Sequence, residues 1–185
     1  AKLMMPFSPK PLTNSLPRPH GLSKQHAITL GRLSFIPDLS GALYLPDEKL
    51  LLVADLHLEQ GASLARRGLY VPPYDTAATL LMLEQVLRES EARRLVLLGD
   101  SFHDGVAHNE VSAKDAERLR AITSRIDTIW IAGNHDPNAH GQLGGVCVEE
   151  LALGDVTLRH IPQKLKAGEM EIAGHLHPGA SIIQR

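Results

Sequence analysis

Three stretches of the chain share one form, a short unbroken apolar run that stops at a polar cluster. Leu50-Leu51-Leu52-Val53-Ala54 runs into Asp55, Leu95-Val96-Leu97-Leu98 into Gly99-Asp100, and Ile129-Trp130-Ile131-Ala132 into Gly133-Asn134-His135-Asp136. Runs of that length without polar alternation predict strands buried on both faces. Between them the period becomes helical. Leu80, Leu83 and Leu87 form one stripe over residues 76–89, with Asp75 as the expected N-cap after Pro72-Pro73. Ser112 and Asp115 have capping-box spacing, and Ala116, Leu119 and Ile122 carry an apolar face to residue 124.

Strand, helix, strand, helix, strand predicts parallel pairing through right-handed crossovers, with the polar ends of the strands gathered on one edge where such sheets carry ligands. Beyond residue 145 no helical period remains. Val146 to Val148, Val156 to His160 and Glu171 to Ala173 predict short strands of an antiparallel sheet, and stretches 27–36 and 42–45 add strands at the other end. The fold class is therefore α/β, a two-sheet β-sandwich core flanked by helices.

Composition narrows the picture. The 185 residues suit one domain, which we place at 26–185, behind a Pro-rich N-terminal arm over residues 1–25 that holds Pro6, Pro9, Pro11, Pro17 and Pro19. The apolar share of 43% and net charge of −2 exclude disorder of the whole chain and remove the basic patch that would argue directly for nucleic acid. Cys147 has no partner for an intrachain disulfide and reads as a small buried apolar residue. No apolar stretch approaches a membrane span, and Pro6 interrupts Lys2-Leu3-Met4-Met5 before a signal-peptide core develops, so the expected address is cytoplasmic. Ten histidines against seven Phe, Trp and Tyr residues are the one anomaly.

Five of those histidines fall at predicted strand ends. Asp55-Leu56-His57, Gly99-Asp100, Gly133 to Asp136, His160 and Gly174-His175-Leu176-His177 are all acid–base or metal-capable groups. In an extended segment residues i and i+2 point the same way, so Asp55 with His57, and His175 with His177, are each expected to aim two side chains at one place. Taken singly, each is as readily a cap, a turn former or a structural histidine. Five apolar segments ending this way point to a metal site.

The ordered set D-x-H, G-D, G-N-H-D, a lone His and G-H-x-H resembles the calcineurin-like metallophosphoesterases. Asp55 to Gly61 (DLHLEQG), Arg66-Arg67-Gly68, Pro72 to Thr76 and Gly99 to Asp104 (GDSFHD) look like the bacterial DNA-ligase-associated branch. The resemblance implies a four-layer α/β/β/α fold. It implies that Asp55, His57 and His177 hold one metal and Asn134, His160 and His175 a second, with Asp100 bridging both. His135 would face the leaving group as the catalytic acid, with Asp136 orienting its ring. Two divalent ions (+4), two carboxylates (−2) and a hydroxide leave a centre near +1, which draws a phosphate ester to a chain of net −2. Mixed imidazole, carboxylate and amide ligands suit manganese, iron or zinc better than calcium or magnesium without choosing among the three; manganese is the first expectation, with iron or zinc as alternatives.

The implied activity is hydrolysis of phosphodiesters by hydroxide held between the metals, with DNA ends as substrate, DNA repair as setting, and a DNA ligase or helicase as partner. A small-molecule phosphodiesterase or nucleotide-sugar pyrophosphatase is the alternative chemistry, and a non-catalytic metal-binding scaffold the alternative class. His103 stands where the family has a second Asp and is read as lying behind the ligands, as touching substrate, or as a simple replacement. Arg66 and Arg67 are candidates for a phosphate contact. Phe102 and Tyr70 are candidates for stacking on a base, with core packing the stronger reading. His20, His26, His108 and His140 are expected on the surface.

Overall fold

The computed structural model describes residues 26–70, 74–137 and 143–178. The arm, His20, His140 and Pro72-Pro73 lie outside them. The strands are β1 (Ile28–Leu30), β2 (Leu33–Pro37), β3 (Leu43–Leu45), β4 (Leu50–Val53), β5 (Arg94–Leu98), β6 (Asp127–Ile131), β7 (Val146–Val148), β8 (Glu150–Leu153), β9 (Val156–Arg159) and β10 (Met170–Ala173). The helices are α1 (Gln60–Arg66), α2 (Asp75–Ser90) and α3 (Ala113–Thr123).

Seven strands form one sheet in chain order, antiparallel from β1 to β4 and parallel from β4 to β7. The unbroken apolar runs are explained by what covers each face. Leu51, Val53, Leu95, Leu97 and Trp130 face a core shared with Leu80, Leu83 and Val86 of α2 and Leu119 and Ile122 of α3. Leu50, Leu52, Val96, Leu98 and Ile131 face the other way, against Leu153, Val156, Leu158 and Ile172 of a second sheet ordered β10-β9-β8. Two sheets flanked by helices are therefore the expected fold class.

Several local expectations change. The half beyond residue 145 is not simply antiparallel: β7 adds to the large sheet in parallel with β6, and β10 pairs in parallel with β9. Only β8 and β9 form an antiparallel hairpin, turning at Gly154 in the left-handed region (φ 61°). Three-residue strands carry too little period to show their pairing. Ser112 caps α3, its side chain accepting the Asp115 N–H. Asp75 is not the cap of α2, which is Tyr74; instead its carboxylate accepts the Gly61 N–H at 2.9 Å and ties α2 to α1. Helix α1 itself had no signal in a stretch containing Gly61 and a single apolar pair.

Candidate metal centre

The parallel pairing of β4, β5 and β6 brings the residues after Val53, Leu98 and Ile131 to one sheet edge. Beyond the strands the first two loops stay stitched. Asp55, His57 and Leu58 donate their N–H groups to Gly99, Asp100 and Ser101 oxygens at 3.2, 3.0 and 2.8 Å, and His103 N–H returns to Leu58 O at 2.9 Å. From the second sheet, His160 follows β9 and the 174–177 segment follows β10.

Two groups of ligand-capable side chains result, Asp55 with His57 and His177, and Asp100 with His160 and His175, each group's ligand atoms within 4.8 Å of one another. His177 Nε2 lies 3.5 Å from Asp55 Oδ1, and His160 Nε2 lies 3.1 Å from Asp100 Oδ2 and 3.0 Å from Asn134 Oδ1. The side chains sequence reading gathered are thus together, but by a different route. Asp55 (φ 53°), His57 (46°), Asp100 (46°), His175 (68°) and His177 (39°) are all left-handed, a conformation costing a non-glycine residue about 1 kcal/mol or more. Alternation along an extended segment does not aim these pairs; consecutive backbone kinks just past the strand ends do. Asp55 is fixed further by the His175 N–H, 3.1 Å from Oδ2.

Two glycines serve close approach. A Cβ on Gly133 would strike the Asp100 backbone nitrogen and Oδ1, and one on Gly174 would come within 2.9 Å of Asp55 Oδ2.

The donor set fits divalent cations. His160 Nδ1 lies 3.0 Å from Leu98 O, which can only accept, so the ring's proton belongs there. In the neutral ring Nε2 then presents a lone pair to two oxygen acceptors, Asp100 and Asn134, a meeting that either a second ring proton or a bound metal ion relieves. Without a metal the second ring proton is the favoured relief at His160. Burial opposes a charged His160, but the hydrogen bond and charge of Asp100 outweigh it and raise its pKa. For His57, burial dominates and pushes the ring down to about 4, leaving it neutral and available as a ligand. Burial raises Asp55, whereas the hydrogen bonds from His160 and the His135 backbone overcome burial at Asp100 and keep it ionised.

His135 donates its backbone N–H to Asp100 Oδ1 at 2.9 Å, and its ring, 46% exposed, places Nε2 4.0 Å from Asp100 Oδ2. Asp136 does not stand behind that ring. It is buried, its Oδ2 accepts the Phe102 N–H at 2.9 Å, and it braces the loop that carries Asp100. Its neighbour's ring points to solvent while its own side chain points into the fold, as adjacent residues commonly do. His103 joins the site, its ring centroid 5.5 Å from His57 and 6.2 Å from His135.

Arg66 is not a free phosphate contact: it pairs with Asp104 and Glu110 and fastens α1 to the loop after His103. Arg67, exposed at the end of α1, makes no ion pair with any described residue. Phe102 is in the core at 0% exposure, as the stronger reading had it, whereas Tyr70 is 87% exposed. His26 is exposed, but His108 is half-buried, its ring edge-on to Phe102. The residue that sequence reading under-weighted is Asp104, whose Oδ1 accepts the N–H groups of Val106 and Ala107 at 3.1 and 2.9 Å. Its signal was the adjacent D-G turn former.

No helix among the described residues is long and apolar enough to cross a membrane. Among curated proteins no sequence matches. Among solved structures, a Pseudomonas putida nuclease MPE superposes with a TM-score of 0.69 at 29% identity, over 82% of this chain and 73% of that one. The family model described as calcineurin-like phosphoesterase matches residues 48–178, which contain every candidate ligand above. The chain belongs to the calcineurin-like phosphoesterases and is a metal-dependent hydrolase of phosphate esters.

Proposed function

We propose that the protein is a dinuclear phosphodiesterase acting on nucleic acid, with manganese as the first candidate metal and iron or zinc as alternatives. The observation that carries this is that the two ligand groups abut: His160, 3.1 Å from Asp100 in its own group, lies 3.9 Å from Asp55 Oδ1 of the other. Asp55, His57 and His177 would hold one ion and Asn134, His160 and His175 the other, with Asp100 available to both. When bound, such a pair acidifies a water to supply the nucleophile and neutralises the phosphoryl oxygens of an in-line displacement.

The chain's own groups do the rest. His135, anchored by its backbone to Asp100 and open on its ring side, hands a proton to the departing oxygen. Asp136 keeps the Asp100 loop in place through the Phe102 amide. His103 lines the same opening beside His57. Nucleic acid is preferred over a small diester because a similar chain is a nuclease. Association with a DNA ligase or helicase, and a role in repair, rest on the DLHLEQG and GDSFHD segments alone.

Metal analysis of purified protein, combined with hydrolysis of bis-p-nitrophenyl phosphate under added manganese, tests the reading. Two bound equivalents and metal-stimulated turnover are expected. Protein that binds no metal and gains no turnover would overturn it.

A further inference from the structure

The loop that carries His57 is held from two sides. On one side are backbone bonds to the loop after β5: the Leu58 N–H reaches Ser101 O at 2.8 Å, and Leu58 O accepts the His103 N–H at 2.9 Å. On the other side is the start of α2. The Glu59 N–H donates to Thr76 Oγ1 at 2.8 Å, and the Gly61 N–H donates to Asp75 Oδ2 at 2.9 Å. The Thr76 hydroxyl in turn hydrogen-bonds the Glu59 side chain, so Glu59 engages both its acceptor and its donor. Two segments that stand out separately in the sequence, Asp55 to Gly61 and Pro72 to Thr76, thus meet through Asp75 and Thr76. Glu59 is left-handed at φ 62°, in alternation with Asp55 and His57 before it, and it opens α1 without a side-chain cap. A non-glycine residue keeps such a backbone only where its surroundings over-determine it. Thr76 is 3% exposed, so water does not readily replace its hydroxyl.

From this arrangement we propose that Thr76 is a positioning residue for the ligand group of Asp55, His57 and His177: its hydroxyl fixes the left-handed Glu59 backbone and, through it, the His57 ring two residues earlier. This role rests on the two-metal reading, which supplies the ion that His57 would hold. The fold makes the effect selective. Asp100, His160 and His175 follow β5, β9 and β10. The hydrogen bonds that fix Asp100 and His160 are made with the His135 amide and Leu98 O, not with α2. Loosening the grip of α2 therefore disturbs the first group and leaves the second. Partners that orient a ligand from behind are worth about 10–100-fold each in metal affinity.

Titration calorimetry of the metal-free protein with manganese, joined to amide hydrogen exchange before metal is added, reads this role without requiring turnover. Thr76→Val keeps the shape of the side chain and removes the hydroxyl. It is expected to weaken one of the two manganese equivalents about tenfold and to leave the other as in the parent. Thr76→Ser keeps the hydroxyl and is expected to bind both equivalents like the parent. In a His177→Ala background, where only the second equivalent remains, Thr76→Val changes nothing further. In metal-free protein the Glu59 amide exchanges faster in Thr76→Val than in the parent or Thr76→Ser. Both equivalents weakening alike, neither weakening, or a Glu59 amide as protected as in the parent would overturn the positioning role and leave the two-metal reading intact. Thr76→Ser weakening as much as Thr76→Val would place the effect in the methyl group and overturn it too. A parent that takes up fewer than two equivalents overturns the two-metal reading instead, and the exchange comparison still decides whether Thr76 holds the loop.

Discussion

The Nε2 atoms of His57 and His177, 120 positions apart in the chain, lie 3.3 Å from each other. Two neutral imidazoles meet lone pair to lone pair at that distance unless one turns its N–H inward, and Asp55 Oδ1, 3.5 Å from His177, adds a third electron-rich atom. His57 Nδ1 is buried without a partner, so no hydrogen bond fixes which nitrogen of that ring carries the proton. A cation at the meeting point satisfies all three.

His57→Ala and His177→Ala are each expected to bind one metal equivalent where the parent binds two, measured by elemental analysis after gel filtration. Manganese at 100 times its dissociation constant adds about 2.7 kcal/mol per site to the folded state, so the metal-induced rise in Tm shrinks by roughly half in either variant. Full stoichiometry in both would exclude the first group as a site.

His135→Ala is expected to keep both metals and lose about 10²–10⁴-fold in kcat on an unactivated phosphodiester, with a smaller loss on bis-p-nitrophenyl phosphate, whose leaving group needs little protonation. An unchanged rate on the unactivated diester would remove the acid role.

Asp136 makes a prediction of the opposite kind, about stability. Burial pushes its carboxyl from 3.8 up to about 6. A raised acid binds its proton more tightly when folded, so its contribution is fully present below pH 4 and is lost as pH rises through 6. The difference of about two units corresponds to roughly 3 kcal/mol. In metal-free protein, Asp136→Asn should therefore gain stability relative to the parent between pH 4 and 7, read as a widening Tm difference. A difference that stays flat across that range would show the group does not titrate with the fold.

Gly133→Ala tests the close approach to Asp100. Gly133 does not have positive φ, so the substitution asks for no left-handed residue and instead drives a methyl group into the Asp100 backbone and carboxylate. A loss of about 1–3 kcal/mol with reduced metal content is expected in denaturation and metal titrations. A variant as stable and as metal-loaded as the parent would mean that the loop yields freely.

What could be read in advance was whatever depends on local pattern. Leu50 to Ala54 and Leu95 to Leu98 have no polar position because both faces of β4 and β5 are covered, and the polar residues after them mark the edge. Ser112 and Asp115 announced α3 because a cap is a contact between near neighbours. Properties set by distant partners were not legible. Nothing near Arg66 in the chain indicates that Asp104 and Glu110, 38 and 44 positions away, take its guanidinium. Nor does the order His135-Asp136 tell that the acid turns 34 positions back to Phe102. The left-handed ligands were hidden for another reason: a D-x-H triplet reads identically whether extended or kinked, and only the surrounding hydrogen bonds choose.

The backbone stitching between residues 55–58 and 99–103 sets the design latitude of the centre. Because main-chain atoms hold these two loops in register, the spacing of Asp55 and His57 from Asp100 is a property of the scaffold. Exchanging a histidine for a carboxylate at His57 or His177 should retune which ion is preferred without moving the other site, so that mixed-metal forms of this centre are open to engineering one position at a time.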